Sequence, residues 1–212
     1  VLVLRFEGHT QAALDRIQKL EQQYPQSQSA QGAAALREGL YERTAWRMVG
    51  GRNWERGPWG EFIAGESRSV GAHLQSPEPL SDFSLTLEYR TTSANGQGGI
   101  YFGYTGAGRL ADNARKIQLS NDVGVNPDLY CTGALFGNTA PTINAAKPQG
   151  EWNTLVLNVR GPRVQVAING REVLSTTFTT DLEPAPGYVG LDGATGGIGY
   201  RKVILSTQPA LP

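Results

Sequence analysis

The chain has 212 residues, enough for one well-buried sandwich and a small appendage. Its formal net charge is zero, so it carries no electrostatic footprint for nucleic acid or an anionic membrane. A single cysteine, Cys131, excludes an internal disulfide and any multi-cysteine zinc site, and no apolar run approaches the roughly 20 residues of a transmembrane helix.

The first 45 residues read differently from the rest. Val1 to Phe6 is a short apolar run with strand character. It is too short for a signal-peptide core and no initiating Met precedes it. Either a leader has been removed or the chain is part of something longer; the expectation is a mature exported protein, extracellular or periplasmic. From Thr10, an N-cap residue, the pattern turns helical, with Ala13, Ile17, Leu20 and Tyr24 on one face and Pro25 as the stop. A second helix starts near Ser27 or Ser29 and carries Ala30, Ala33, Leu36, Leu40 and Tyr41. Tyr24-Pro25-Gln26-Ser27 followed by Ala30 and Ala33 resembles a single tetratricopeptide-type hairpin, although a generic helical hairpin fits as well. A lone unit cannot bury its apolar face unaided. The expected organisation is therefore an N-terminal strand and helical hairpin over 1–45 and a β-sandwich over 46–212.

Beyond Trp46 the helical period fades. Phe83, Leu85, Leu87 and Tyr89 alternate with Ser84, Thr86, Glu88 and Arg90, the signature of a half-buried antiparallel strand. Further strands are expected over 70–74, 99–104, 117–119, 153–159, 164–168, 188–191 and 200–205. Gly161-Pro162 breaks one β-rich run from the next. Asn169-Gly170 is a hairpin turn signal, because both positions of a type I′ turn need positive φ. Strands of this number and spacing close as two packed sheets, a jelly roll or similar antiparallel sandwich.

A series of short words in fixed order carries a family resemblance over residues 80–206. They are Asp82 to Arg90, Gly99-Ile100-Tyr101-Phe102, Ile117-Gln118-Leu119 and Thr132 to Phe136. Lys147-Pro148, Gly150 to Thr154, Ile168-Asn169-Gly170, Gly190-Leu191 and Tyr200 to Val203 follow. Together they resemble the 3-keto-disaccharide hydrolase-like domains. The resemblance implies a concanavalin-like jelly roll and chemistry on sugars. Several polar positions depart from the family's pattern: Gln97-Gly98-Gly99 stands where Asn-Ser-Gly is common, Gly103 where an Arg often ends the strand, and Lys116 where an acidic residue is common. An ammonium does not replace a carboxylate as a base or metal ligand, and a glycine supplies no guanidinium clamp. The departures imply a retained fold with altered or absent catalysis.

Two functional classes follow. The first is a carbohydrate-binding or extracellular structural protein with weak or no catalysis. The second is a hydrolase or lyase acting on 3-keto-glycosides, with Glu88, Gln118 and Asp122 as the rearranged catalytic set. Glycoside cleavage takes paired carboxylates, whereas attack beside a keto group needs one base and an electrophile. Glu88 faces away from Phe83 and Leu85 and would line a sheet surface; a solvated strand residue is its plainer reading. Trp54, Trp59, Tyr104 and Tyr130 flank glycine-rich or turn-like sequence and are the candidate platforms for sugar rings. Trp152 opens a strand and is expected in the core. The loop from Ser120 to Asp128 offers several oxygens, so Ca²⁺ at Asp122 and Asp128 is weighed, but its spacing matches no known calcium loop; no cofactor is assigned. His9 and His73 stand alone and read as structural. Cys131 lacks a neighbouring base and reads as unreactive. Residues 1–6 either pair within their own sandwich or add to a sheet edge of another copy, giving self-association and filaments.

Overall fold

The computed structural model describes residues 46–50, 54–56, 61–65, 72–107, 110–178, 186–193 and 196–206, with Lys19, Gln22 and Gln23. Those three are helical. The expected strand at 1–6 and the remainder of the helical hairpin lie outside the described residues, as do His9 and Trp59. No described helix is long and apolar enough to cross a membrane.

Twelve strands are described: β1 (Arg47–Val49), β2 (Trp54–Arg56), β3 (Phe62–Ala64), β4 (His73–Gln75), β5 (Phe83–Thr91), β6 (Gln97–Tyr104), β7 (Arg115–Ser120), β8 (Asn153–Arg160), β9 (Arg163–Ile168), β10 (Arg171–Thr177), β11 (Tyr188–Asp192) and β12 (Ile198–Ser206). A single helical turn, α1 (Leu110–Asn113), joins β6 to β7. The strands form a smaller sheet in the order β1-β4-β11-β6-β7 and a larger one in the order β10-β9-β8-β5-β12-β3-β2. Every pairing is antiparallel, as a jelly-roll sandwich requires.

Alternation explains how the sheets meet. Leu85, Leu87 and Tyr89 of β5, Leu155 and Leu157 of β8, and Val164, Val166 and Ile168 of β9 point inward from the larger sheet. Leu74, Ile100, Phe102, Ile117, Leu119, Val189 and Leu191 answer from the smaller one, all in one core cluster. Burying such side chains contributes about 1.5–3 kcal/mol each before entropy is charged against it. Tyr200 crosses this core from β12: its hydroxyl donates to Asp192 O at 2.8 Å and accepts from Gly99 N at 3.1 Å. A Cβ on Gly98 would come within 2.5 Å of that hydroxyl, so the strand must carry glycine there.

The expected turn is present. Asn169 and Gly170 take φ of 52° and 75°, and Ile168 pairs with Arg171 across them. The strand expected at 70–74 is described only from His73. The short strands β1, β2 and β3 were not anticipated, since three residues carry too little alternation to read. Gly103 has φ of 71° beside a register shift between β6 and β11, so the glycine meets a backbone demand there.

Candidate functional site

Residues facing away from the core on the smaller sheet form a polar row. Ile117 and Leu119 point inward, so Lys116, Gln118 and Ser120 of β7 point outward. The register sets Tyr101 beside Lys116, Gly99 beside Gln118 and beside Asp192, and His73 beside Asp192. Lys116 Nζ donates to Asp192 Oδ2 at 2.9 Å, and lies 5.3 Å from the Tyr101 ring centroid and 5.6 Å from that of Phe136. Glycine is required at position 99, because a Cβ there would come within 2.5 Å of the Ile117 carbonyl oxygen. His73 meets Tyr104 edge-on at 5.7 Å. Gln118 is 2 % exposed; its Nε2 donates to Ser120 Oγ at 2.8 Å, while its Oε1 has no partner. A buried acceptor left unpaired costs about 1–3 kcal/mol, which marks functional and strained sites.

Ser120 joins this row to a cleft of about 490 Å³ lined by Ala94, Asn95, Gly96, Gln97, Ser120, Asn121, Asp122, Val125, Asp128, Tyr130 and Cys131. Its walls are held by hydrogen bonds within the loops. Asp122 Oδ2 accepts from Thr132 N at 2.7 Å, its Oδ1 accepts from Asn144 Nδ2 at 3.0 Å, and Asn121 Nδ2 donates to Ala94 O at 3.1 Å. Asp128 Oδ1 accepts from Tyr130 N at 2.7 Å, which sets the start of the aromatic segment. Tyr130 is 58 % exposed and meets the half-exposed Phe136 edge-on at 5.2 Å. Cys131 lines the cleft but stays a thiol: burial pushes its pKa up, a backbone hydrogen bond to Asp128 offsets part of this, and the charges of Asp122 and Asp128 reinforce the rise.

The three residues expected to act together are separated. Gln118 lies on the outer face of the smaller sheet and Asp122 in the cleft beside it. Glu88 lies on the outer face of the larger sheet, on the other side of the core, tied to Arg201 and Lys202. A bulge in β12 at Lys202, with φ of 51°, lets consecutive cations reach one carboxylate. Burial opposes ionisation of Glu88, but hydrogen bonds and charge from Arg201 and Lys202 outweigh it and hold its carboxyl below the usual range.

Among the expected sugar platforms that lie in the described residues, Tyr130 alone is exposed at the cleft. Trp54 is buried in the core against Tyr200, and Tyr104 is buried beside Tyr101 and Leu110, so neither presents a ring to a ligand. Trp54 follows a glycine-rich stretch that reads as a loop, yet it starts a short strand whose first side chain points inward. Trp152 is the reverse case: it lies outside the core, with the Arg201 and Arg90 guanidinium carbons 4.0 and 4.6 Å from its ring centroid. Both Asp122 oxygens already accept hydrogen bonds, and the described residues hold no group of three or more His, Cys, Asp or Glu that could bind a metal. Through these hydrogen bonds Asp122, one of the two carboxylates weighed for Ca²⁺, braces the loop. The sequence reading also passed over Lys116, His73 and Asp192 as a group. Alternation alone would have put Lys116 and Gln118 on one face, but nothing in the sequence pairs either with Asp192.

The same architecture recurs in known proteins of low sequence identity. A candidate glycosyl hydrolase from Parabacteroides distasonis superposes with a TM-score of 0.61 at 20% identity, over 77% of this chain and 99% of its own. A second from that organism gives 0.65 at 14% identity, over 78% and 90%. The carbohydrate-binding module CBM66 from Bacillus subtilis gives 0.56 at 14% identity, over 77% and 96%. No curated protein matches the sequence. The profile of the 3-keto-alpha-glucoside-1,2-lyase-like domain matches residues 37–206. With that match over most of its length and a jelly-roll fold to accompany it, the chain belongs to the 3-keto-alpha-glucoside-1,2-lyase-like domain family.

Proposed function

We propose that this protein binds carbohydrate in the cleft between residues 94–97 and 120–131, and that it cleaves glycosides weakly or not at all. The observation that carries the reading is Tyr130, 58 % exposed at a cleft otherwise lined largely by amide, hydroxyl and carboxylate side chains. Sugars are recognised by such pairing, an aromatic face against the ring's C–H groups and convergent hydrogen-bonding groups around its hydroxyls. Membership of a family named for glucoside chemistry supports the same ligand class. The reading against strong catalysis rests on Asp192, whose carboxylate is engaged by Lys116, and on Glu88, which lies across the core from the cleft. Glycan-array binding followed by calorimetry tests the proposal. Binding that drops at least about tenfold in Tyr130→Ala, a loss of roughly 1.4 kcal/mol, supports it. Binding untouched by that change rejects the cleft.

A second reading has its own observation. Lys116 and Asp192 place an acid and a base 2.9 Å apart on the face that also holds Gln118. Elimination beside a 3-keto group would use one base on the C2 proton and one donor on the ketone oxygen, the C1–O bond breaking to release an aglycone that takes its proton from water. Release of sugar from a 3-keto-glucoside by purified protein, abolished in Asp192→Asn, would establish this lyase or hydrolase reading and overturn the non-catalytic one. Export to the periplasm or medium belongs to the same proposal, and fractionation of the producing cell is its check.

A further inference from the structure

We infer that Arg90 and Trp152 form an oxyanion site on the outer face of the larger sheet, separate from the cleft, which takes a carboxylate, sulfate or phosphate group. The indole of Trp152 starts beside β8 and reaches across β5 to β12, since a Cβ on Gly199 would lie 3.8 Å from its Cη2. The Arg201 and Arg90 guanidinium carbons lie over its ring, 4.0 and 4.6 Å from the centroid. All three side chains are half-buried rather than enclosed, so a small anion can reach them.

The charges at this place do not balance. Arg201 Nε and Lys202 Nζ take the two Glu88 oxygens, Oε2 and Oε1. Arg90 lies two residues further along the same face of β5, and no ion pair among the described residues includes it. Its Nε is buried with no hydrogen-bond partner. A desolvated guanidinium without an acceptor is costly, and its five donors lie in one plane. Packing against the indole holds that plane without using an N–H, so the fork stays available to two oxygens of one anion. Two guanidinium charges held on one ring also repel each other, and an anion beside them relieves that repulsion. Lys147 adds a further cation, its Nζ donating to the neutral Trp152 carbonyl at 3.0 Å. The carboxylates next in sequence and in register are Glu151 and Glu55; both are exposed, and neither forms an ion pair among the described residues.

Heteronuclear NMR of the intact, nitrogen-labelled chain tests this, with sodium phosphate, sodium sulfate and methyl glucuronide as probes and the ionic strength held constant with chloride. Saturable shifts should centre on the Trp152 indole N–H and the Arg90 Nε–H, and the neutral methyl glucoside should leave both unmoved. Arg160 and Arg163, exposed at the other end of β8, serve as the internal control. Arg90→Gln should weaken the anion at least about tenfold, or roughly 1.4 kcal/mol. Arg90→Lys, which keeps the charge without the fork, should weaken it less. Tighter binding of the glucuronide than of the free anions makes the ligand an acidic glycan, and the reverse order makes it an inorganic anion; either supports the site. Shifts that do not saturate, are equal at Arg160 and Arg163, appear equally with methyl glucoside or survive Arg90→Gln overturn it. A thermal melt of each variant guards against loss of fold. Should Arg90→Gln fail to fold, the wild-type shift map and Arg90→Lys still decide.

Discussion

Lys116 of β7 reaches over β6 to donate to Asp192 of β11 at 2.9 Å, so one ion pair spans the strand between them. Their side chains are 15% and 8% exposed, and the aliphatic stem of Lys116 lies over Gly99. Taking one partner from so buried a pair is expensive, because the other keeps its desolvation cost. Lys116→Met should lower the unfolding free energy by about 2–4 kcal/mol, and Lys116→Met with Asp192→Asn by clearly less than the sum of the single changes. Urea titrations of the two single variants and the double variant measure the coupling. Strict additivity would show that the pair contributes nothing.

Alkaline pH should destabilise the fold through its buried tyrosines. Burial first, and the Asp192 charge second, push the phenol pKa values of Tyr101 and Tyr200 up; burial and the Asp122 charge do the same for Tyr89. In the unfolded chain these groups ionise near about pH 10. Their contribution is therefore complete below that pH. Above it the unfolded chain releases protons that the folded one retains, so stability falls as pH rises. Thermal melts between pH 8 and 11.5 should be flat at first and then drop steeply above about pH 10. A melting temperature that stays level to pH 11.5 contradicts this.

The acid limb has a different owner. Glu88 is depressed in the folded protein, since the hydrogen bonds and charges of Arg201 and Lys202 outweigh the burial that opposes its ionisation. Its contribution is present above the ordinary carboxylate range and lost as pH falls through the folded pKa. Lys202 is half exposed, so solvent screening limits the effect to about 1 kcal/mol or less. Glu88→Gln should lower stability at pH 7 and make its decline below about pH 4.5 shallower. Equal acid limbs in the two proteins would remove Glu88 from this role. Sugar affinity should be unchanged, because Glu88 lies across the core from the cleft.

Asn169 links the hairpin turn to the cleft wall. Its Nδ2 donates to Ala145 O and to Asn153 Oδ1, both at 2.8 Å, and its Oδ1 accepts from Thr154 N at 3.0 Å. Ala145 follows Asn144, whose amide holds Asp122. Asn169→Ala loses these hydrogen bonds and puts alanine at positive φ, a cost of about 2–3 kcal/mol. Amide exchange should quicken at Thr132, whose N–H is bound by Asp122, beyond the change at the turn. Exchange confined to residues 153–170 would show that the turn and the cleft are independent.

The sandwich was legible wherever strands were long enough to alternate, as in β5, β8 and β9, and at Asn169-Gly170, where turn geometry admits few residues. The misses have physical reasons. Trp54 and Trp152 each read as the opposite environment because a single aromatic residue does not declare its face: Trp54 turns into the core, and Trp152 lies across Arg90 and Arg201 outside it. In the sequence Lys116 reads as a lost carboxylate, which says nothing of its position. Its partner Asp192 lies 76 residues further on, and only the register through β6 brings them together. The cleft was half visible, through Asp122 and Tyr130. Its other wall, at 94–97, comes from the turn into β6; Asn95-Gly96 marks a turn there but does not place it against the loop at 120–131.

Carbohydrate recognition at the cleft is the central claim, and titration calorimetry of the wild-type chain and Tyr130→Ala against methyl α-glucoside and maltose tests it most directly. Saturable binding in the wild type, weakened about tenfold or more in a Tyr130→Ala variant that melts at the same temperature, is the expected result. Absence of glycan binding in the wild type, or equal affinity in the two proteins, would contradict it.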